Sequence, residues 1–297
     1  VTTPSRAFAP LDFLQLISIA LIWGVNNILA KIAIDALPPM MMAGLRFSIV
    51  LILLAVWLKP PPKGQWRLFF AMLAFIGPLH FAIQSIGLKL ATEMPPMIVA
   101  MQLWAPASVM FAALLLGERV SPLRWAGVLV AFVGAASMTF DPMVFAQGWA
   151  LALVALASAF YGLGTVLVRK LGGGLDPWAT QAWIALVAAP TLLLGSATFE
   201  RGHVEAAQVA HWSVWAFIAF GAIVSSIVAN AFMFKLVQKY EVSRTTPYLL
   251  LTPVISFGLA VLILHDTITW RILAGATLTM SGVALVALAE RRFKAVA

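Results

Sequence analysis

Ten apolar runs of about twenty residues each leave this chain almost nowhere to fold but inside a bilayer, because a helix needs roughly twenty apolar residues to cross a hydrocarbon core of about 30 Å. They fall near residues 11–34, 38–58, 67–89, 95–116, 122–140, 147–170, 177–199, 212–237, 243–264 and 269–289. Pro38-Pro39, Lys59-Pro60-Pro61-Pro62, Pro95-Pro96, Asp141-Pro142, Gly172-Gly173-Gly174 and Asp176-Pro177 stand between them, where they stop one helix and start the next. The 62% share of hydrophobic residues, against about half in soluble domains, leaves no stretch for a separate catalytic or nucleic-acid-binding domain. The first run is too long for a signal-peptide core and is expected to remain as a span. Without cysteine the chain has no disulfide, thiolate metal site or cysteine nucleophile.

Charge orients the runs. Counting ten spans gathers Arg6, Lys59, Lys63, Arg67, Arg119, Arg124, Arg169, Lys170, Lys235, Lys239, Arg244, Arg291, Arg292 and Lys294 on one face. The other face keeps Lys31, Lys89, Arg201 and Arg271, and Arg46 stays within a span. The positive-inside rule puts the rich face, with both termini, in the cytoplasm. This asymmetry explains the sequence pI of 10.2 without nucleic acid.

The chain is also duplicated. Leu115 to Gly134 aligns without a gap on Ile263 to Gly282, placing Glu118 on Asp266, Ala126-Gly127 on Ala274-Gly275 and Gly134 on Gly282. At another offset Gly24 meets Gly162, Lys31 meets Arg169 and Pro39 meets Pro177. Ten spans in two copies give five each, an odd number, so the second copy is inverted relative to the first. The expected fold is an all-α integral membrane protein of ten transmembrane helices in two inverted five-helix repeats, residues 1–143 and 144–297, forming one membrane domain.

Polar groups inside spans must face the protein interior or a wet cavity, so they are the first site candidates. Trp23, Asn26, Asn27 and Ala30 form one helical stripe with two amides, suited to a zwitterion's ends or to helix-to-helix bonding. His80 and Gln84 lie one turn apart beyond a Gly77-Pro78 break, as ligands, a titratable switch or a histidine satisfied by a neighbouring helix. Met101-Gln102-Leu103-Trp104-Ala105-Pro106 in the fourth run matches Tyr248-Leu249-Leu250-Leu251-Thr252-Pro253 in the ninth. Paired mid-span prolines remove backbone hydrogen bonds at corresponding places, which marks Pro106 and Pro253 as hinge candidates. Tyr161, Thr165, Gln181, Trp183, Ser226 and Asn230 complete the inventory, while Trp57, Trp66, Trp149, Trp212 and Trp215 read as interfacial belt residues. Arg46, about 10 Å along its helix from Pro39, is a candidate anchor for a carboxylate; snorkelling to the interface is the alternative. No Asp or Glu lies near the middle of any span, so a carboxylate relay has no residue to run on. His203, His211 and His265 lack ligand spacing, and nothing suggests a hydrolase or a metal site, so an enzyme is not expected.

Leu21-Ile22-Trp23-Gly24-Val25-Asn26, then Lys31, Leu37-Pro38-Pro39 and Ala43-Gly44-Leu45-Arg46-Phe47, resemble the opening of the EamA family in the drug/metabolite transporter superfamily. Gly117-Glu118-Arg119 and Tyr240-Glu241 before Pro247 and Pro253 resemble its repeat-end motifs, with Asp266 standing where the second copy expects Glu. The likeness covers nearly all ten spans and implies a central cavity worked by alternating access, as in the family's bacterial amino-acid exporters. It thus implies a secondary transporter exporting amino acids and related small metabolites across the bacterial inner membrane. Asn26, His80, Gln84, Met101, Gln102, Trp104, Tyr161, Gln181, Trp183, Asn230 and Tyr248 would line the cavity. No cofactor is expected; the partners are a small-molecule amino-acid substrate and the lipid bilayer, not nucleic acid, and the monomer is the functional unit. Export of a sugar, nucleotide or drug, or a lipid-handling or structural role, is the competing reading.

Overall fold

The structure, a computed structural model, describes residues 9–60, 63–117, 120–171, 176–239 and 249–294. Among them nine helices are long and apolar enough to cross a membrane: α1 (Pro10–Ala36), α2 (Pro39–Trp57), α3 (Trp66–Leu90), α4 (Met94–Leu116), α5 (Pro122–Phe140), α6 (Gly148–Lys170), α7 (Pro177–Phe199), α8 (Trp212–Met233) and α10 (Trp270–Leu288). The ninth run supplies the shorter helix α9 (Leu251–Leu264), and its expected start at residues 243–248 lies outside the described residues. Glu118, Arg119, Tyr240, Glu241, Pro247 and Tyr248 lie outside them too. Two short helices, Pro142–Ala146 and His203–Val209, join spans and have no counterpart among the apolar runs.

Local sequence explains the helix starts. Proline occupies the first turn of α1, α2, α4, α5 and α7, where its missing N–H has no helical partner to lose. Ser121 caps α5, and Asp176 caps α7 by accepting from the N–H groups of Trp178 at 2.9 Å and Ala179 at 3.3 Å.

The spans interdigitate. α1 packs on α8 and α9, as α6 packs on α3 and α4; α2 lies along α7, and α5 along α10. Each helix of the first five thus finds its main partners among the last five. The α5–α10 seam is the tightest of these contacts and is built from the glycines that the repeat aligns. A Cβ on Gly134 would sit 2.4 Å from the Thr279 amide nitrogen, and one on Gly282 would sit 2.4 Å from that of Ala131. On Gly127 it would meet the Gly282 carbonyl oxygen at 2.9 Å. Only hydrogen fits there, so the two backbones touch.

Different bonds tie the two faces. On the basic face Lys59 forms a salt bridge with Asp176, which holds the Asp176 carboxyl below its usual range. On the opposite face helix starts are capped across the molecule. Glu200 accepts from the Met40 and Met41 amides at 2.8 and 3.1 Å, and Gln147 from Thr92 and Glu93 at 3.0 and 3.3 Å. Asp266 accepts from Met94 N at 2.7 Å while Glu93 accepts from Thr267 N at 2.8 Å. Burial pushes the Asp266 carboxyl up, against the pull of the Met94 N–H. Thr269 starts α10, accepts from Ile272 N at 3.2 Å and donates to Asp141 at 2.5 Å.

The seam predicts that Gly134→Leu or Gly282→Leu lowers stability in detergent by about 1–3 kcal/mol, the cost of overpacking; an unchanged thermal midpoint would refute the close approach. The Asp141 carboxyl is held below its usual value chiefly by the Thr269 hydroxyl. A depressed folded-state pKa stabilises above the unfolded value of about 3.9 and stops doing so as pH falls through the folded value. Thr269→Val is therefore expected to lose about 1 kcal/mol at pH 7, the deficit shrinking on acidification below about pH 4. Unfolding midpoints measured from pH 7 to 3 read this out, and a constant deficit contradicts it.

Candidate functional site

Where helices are interrupted, polar side chains gather. α3 widens into a π-helical turn over Phe75–Leu79, with Gly77 outside helical φ/ψ beside Pro78, and α8 does so over Gly221–Ala229. The two lie in the third and eighth spans, and π-turns of this kind concentrate at functional sites. In α4 the helix breaks at Gln102 and Leu103, because Pro106 has no N–H for the Gln102 carbonyl; Ala105 N takes that oxygen instead at 3.3 Å. In α9 a turn at Leu250 likewise stands three residues before Pro253.

Around these breaks the structure brings together a contiguous set from both halves. Arg46 donates from Nε at 3.2 Å and Nη2 at 2.9 Å to the Ser226 hydroxyl, which itself donates to the Gly221 carbonyl at 3.0 Å. The guanidinium carbon stands 5.6 Å from the centre of the Phe81 ring. A Cβ on Gly221 would lie 3.1 Å from Asn26 Oδ1 and 3.5 Å from Arg46 Nε, so this glycine opens the space in which α1 and α2 present those groups to α8. Phe81 contacts His80 at 4.6 Å between ring centres, His80 contacts Tyr161 at 5.0 Å, and Tyr161 meets Trp104 edge to face at 5.8 Å. His80 Nδ1 lies 2.8 Å from the Ala157 carbonyl. A carbonyl only accepts, so Nδ1 carries the proton and Nε2 is left for another partner.

Other candidates bond outside this set or to its backbone, or are placed by their burial alone. Trp183 donates to the Lys59 carbonyl at 2.8 Å and packs edge to face on Phe69 and Phe70, at the basic face. Asn230 folds back on the Ser226 carbonyl at 2.8 Å. Asn27 bonds Ser256 at 3.0 Å, and Ser256 donates to the Gly24 carbonyl, so half of the amide stripe is a strap between α1 and α9. Met101 is half-buried and its carbonyl receives the Ser158 hydroxyl at 3.3 Å. Gln84, Gln102 and Gln181 are half-buried. Tyr248 lies outside the described residues. Trp149, Trp212 and Trp270 are strongly exposed near span ends, where interfacial residues belong. Phe81 and Gly221 were not foreseen as site residues; one reads as an ordinary core aromatic and the other as an ordinary helix-packing glycine.

Chemically, the set offers one cation, neutral donors and acceptors, and aromatic walls. Among the described residues no group of three or more His, Cys, Asp or Glu side chains is placed to hold a metal ion.

Comparison with known proteins places the chain among transporters. The model of the EamA-like transporter family matches twice, over residues 12–140 and 148–288. The chain is 28% identical over 293 residues to a probable amino-acid metabolite efflux pump of Escherichia coli (strain K12), covering 94% of this chain and 95% of that one. It is 27% identical over 296 residues to the uncharacterized transporter YvbV of Bacillus subtilis (strain 168), covering 96% and 94%. A solved crystal structure with 21% identity superposes with a TM-score of 0.62 over 97% of this chain and 100% of its own, a likeness of fold.

Proposed function

The chain belongs to the EamA-like transporter family, and we propose that this multi-pass transporter exports amino acids and related small metabolites across a bacterial inner membrane by alternating access. The observation that carries the reading is the mid-membrane set of Asn26, Arg46, His80, Trp104 and Tyr161, drawn from α1, α2, α3, α4 and α6 beside the π-turn of α8. An amino acid needs a partner for its carboxylate, acceptors for its ammonium and an apolar wall for its side chain; Arg46, the amide of Asn26 with His80 Nε2, and Phe81 with Trp104 are of those three kinds. The efflux-pump name of the Escherichia coli relative supports the substrate class and the direction.

In this proposal residues 1–143 and 144–297 rock against each other about the site, with the basic face and both termini in the cytoplasm. Pro106 and Pro253 absorb the bending, since the helix is already interrupted just before each. The monomer suffices, because both repeats lie in one chain.

Purified protein in liposomes should take up at least one labelled amino acid faster than empty vesicles; no stimulation by any of the twenty would overturn the assignment. Pro106→Ala and Pro253→Ala restore a backbone donor and stiffen the breaks, so each should slow flux about tenfold, equivalent to about 1.4 kcal/mol in the barrier, while changing substrate affinity less than threefold. Unchanged flux in both variants would exclude the hinge role.

A further inference from the structure

Arg46 is placed to meet an anion that the protein does not provide. Its helix position would allow its side chain to reach back to the interface, yet the guanidinium bonds Ser226, about 20 Å into α8 counting from Trp212 and well inside that span. One hydroxyl occupies two of the five guanidinium N–H donors. The Ser226 oxygen is saturated by those two bonds and its own donation to Gly221, so it offers the cation nothing further. The two salt bridges among the described residues are Lys31–Asp35 and Lys59–Asp176, both at span ends. The nearest acidic residue on α1, Asp35, is about 14 Å along the helix from Asn26 and is already paired with Lys31. The middle of the described spans therefore holds one formal positive charge and no carboxylate.

From this imbalance we infer that the site selects solutes by a carboxylate seated on the Arg46 fork and disfavours a charged amine, so that monoanionic amino-acid derivatives with an uncharged nitrogen bind at least as well as the parent zwitterions. A monoanion neutralises the site, a zwitterion leaves it at plus one, and an organic cation raises it to plus two, in a region where unpaired charge is costly. The ligand class is thus the small monocarboxylate: N-acyl amino acids, 2-oxo acids and, less well, free amino acids. Nε is tied to Ser226, and the Nη edge presents parallel N–H groups, the geometry that favours a planar carboxylate over a sulfonamide or hydroxyl. Gly221 supplies the room, because any side chain there would press on the Asn26 amide and Arg46 Nε.

The inference rests on the export reading for its physiological meaning, and a matched ligand series separates the two. Binding of leucine, N-acetylleucine and 3-methylbutylamine to the purified full chain is measured by calorimetry, with flux of each labelled compound in liposomes. N-acetylleucine should bind as tightly as leucine or tighter, and the amine about ten- to hundredfold more weakly than either. Arg46→Gln should bring the three within about threefold of one another, whereas Arg46→Lys, which keeps the charge and loses the fork, should keep the order at reduced affinity. The amine binding as well as the carboxylates, or none of the three binding, overturns the subsite, and the unaltered protein alone decides this even where a variant fails to fold. Carboxylates binding in the expected order without flux of any amino acid would sustain the subsite and remove the export reading instead.

Discussion

The structure depends on the direct contact of two backbones along the α5–α10 seam. In lipid there is no hydrophobic force to drive one apolar helix onto another, so association rests on van der Waals contact and on how closely the chains can approach. Gly127 and Gly134 on one helix and Gly275 and Gly282 on the other remove the side chains that would hold them apart. Because these residues are copies of one another, the seam is self-complementary in the way of a two-fold dimer interface, although both sides belong to one chain. With α5 and α10 joined in this way, α1 packs on α8 and α9 while α6 packs on α3 and α4, and that crossing brings side chains from five spans together.

The site then sits where the regular backbone fails. A helix in a bilayer normally satisfies every N–H and carbonyl within itself, and departures are tolerated only where protein or a wet cavity can compensate. Here α3, α4, α8 and α9 all depart from regularity. The Ser226 hydroxyl returning to the Gly221 carbonyl five residues earlier is one such compensation, and it is the bond that also holds Arg46 in place. The irregularity and the charge are thus parts of one arrangement: the widened turn supplies the serine, and the serine steers the guanidinium.

Much of this was legible in the sequence, for identifiable reasons. Prolines announce their own effect because a missing N–H cannot be disguised, so the breaks at Gly77-Pro78 and before Pro106 and Pro253 could be read directly. Nine of the ten apolar runs became spans with boundaries close to those expected, since length and hydropathy are strong constraints in a bilayer. The π-turn of α8 was not legible: it contains no proline, and nothing in Gly221–Ala229 distinguishes it from an ordinary apolar helix. Nor could periodicity separate Asn26 from Asn27, which share a helical face while one approaches Gly221 and the other straps α9. Trp183 belongs with Gln181 to the polar and aromatic inventory of the spans, and its indole reaches the Lys59 carbonyl. Rotational position around a helix is set by tertiary partners, which a single chain's pattern does not name.

The exchanged caps opposite the basic face fasten the two sets of five helices to each other there. Glu93, Asp141, Gln147, Glu200 and Asp266 each accept from a helix start or adjoining loop on the other set of five helices. Each joins one set to the other, so the five act together on the same relative position. Each is an ordinary cap, about 0.5–2 kcal/mol by itself, and each freed group returns at once to water at the membrane surface. The fastening therefore resembles a zip of shallow teeth: many bonds fix the geometry of this face sharply, while no single one of them is strong.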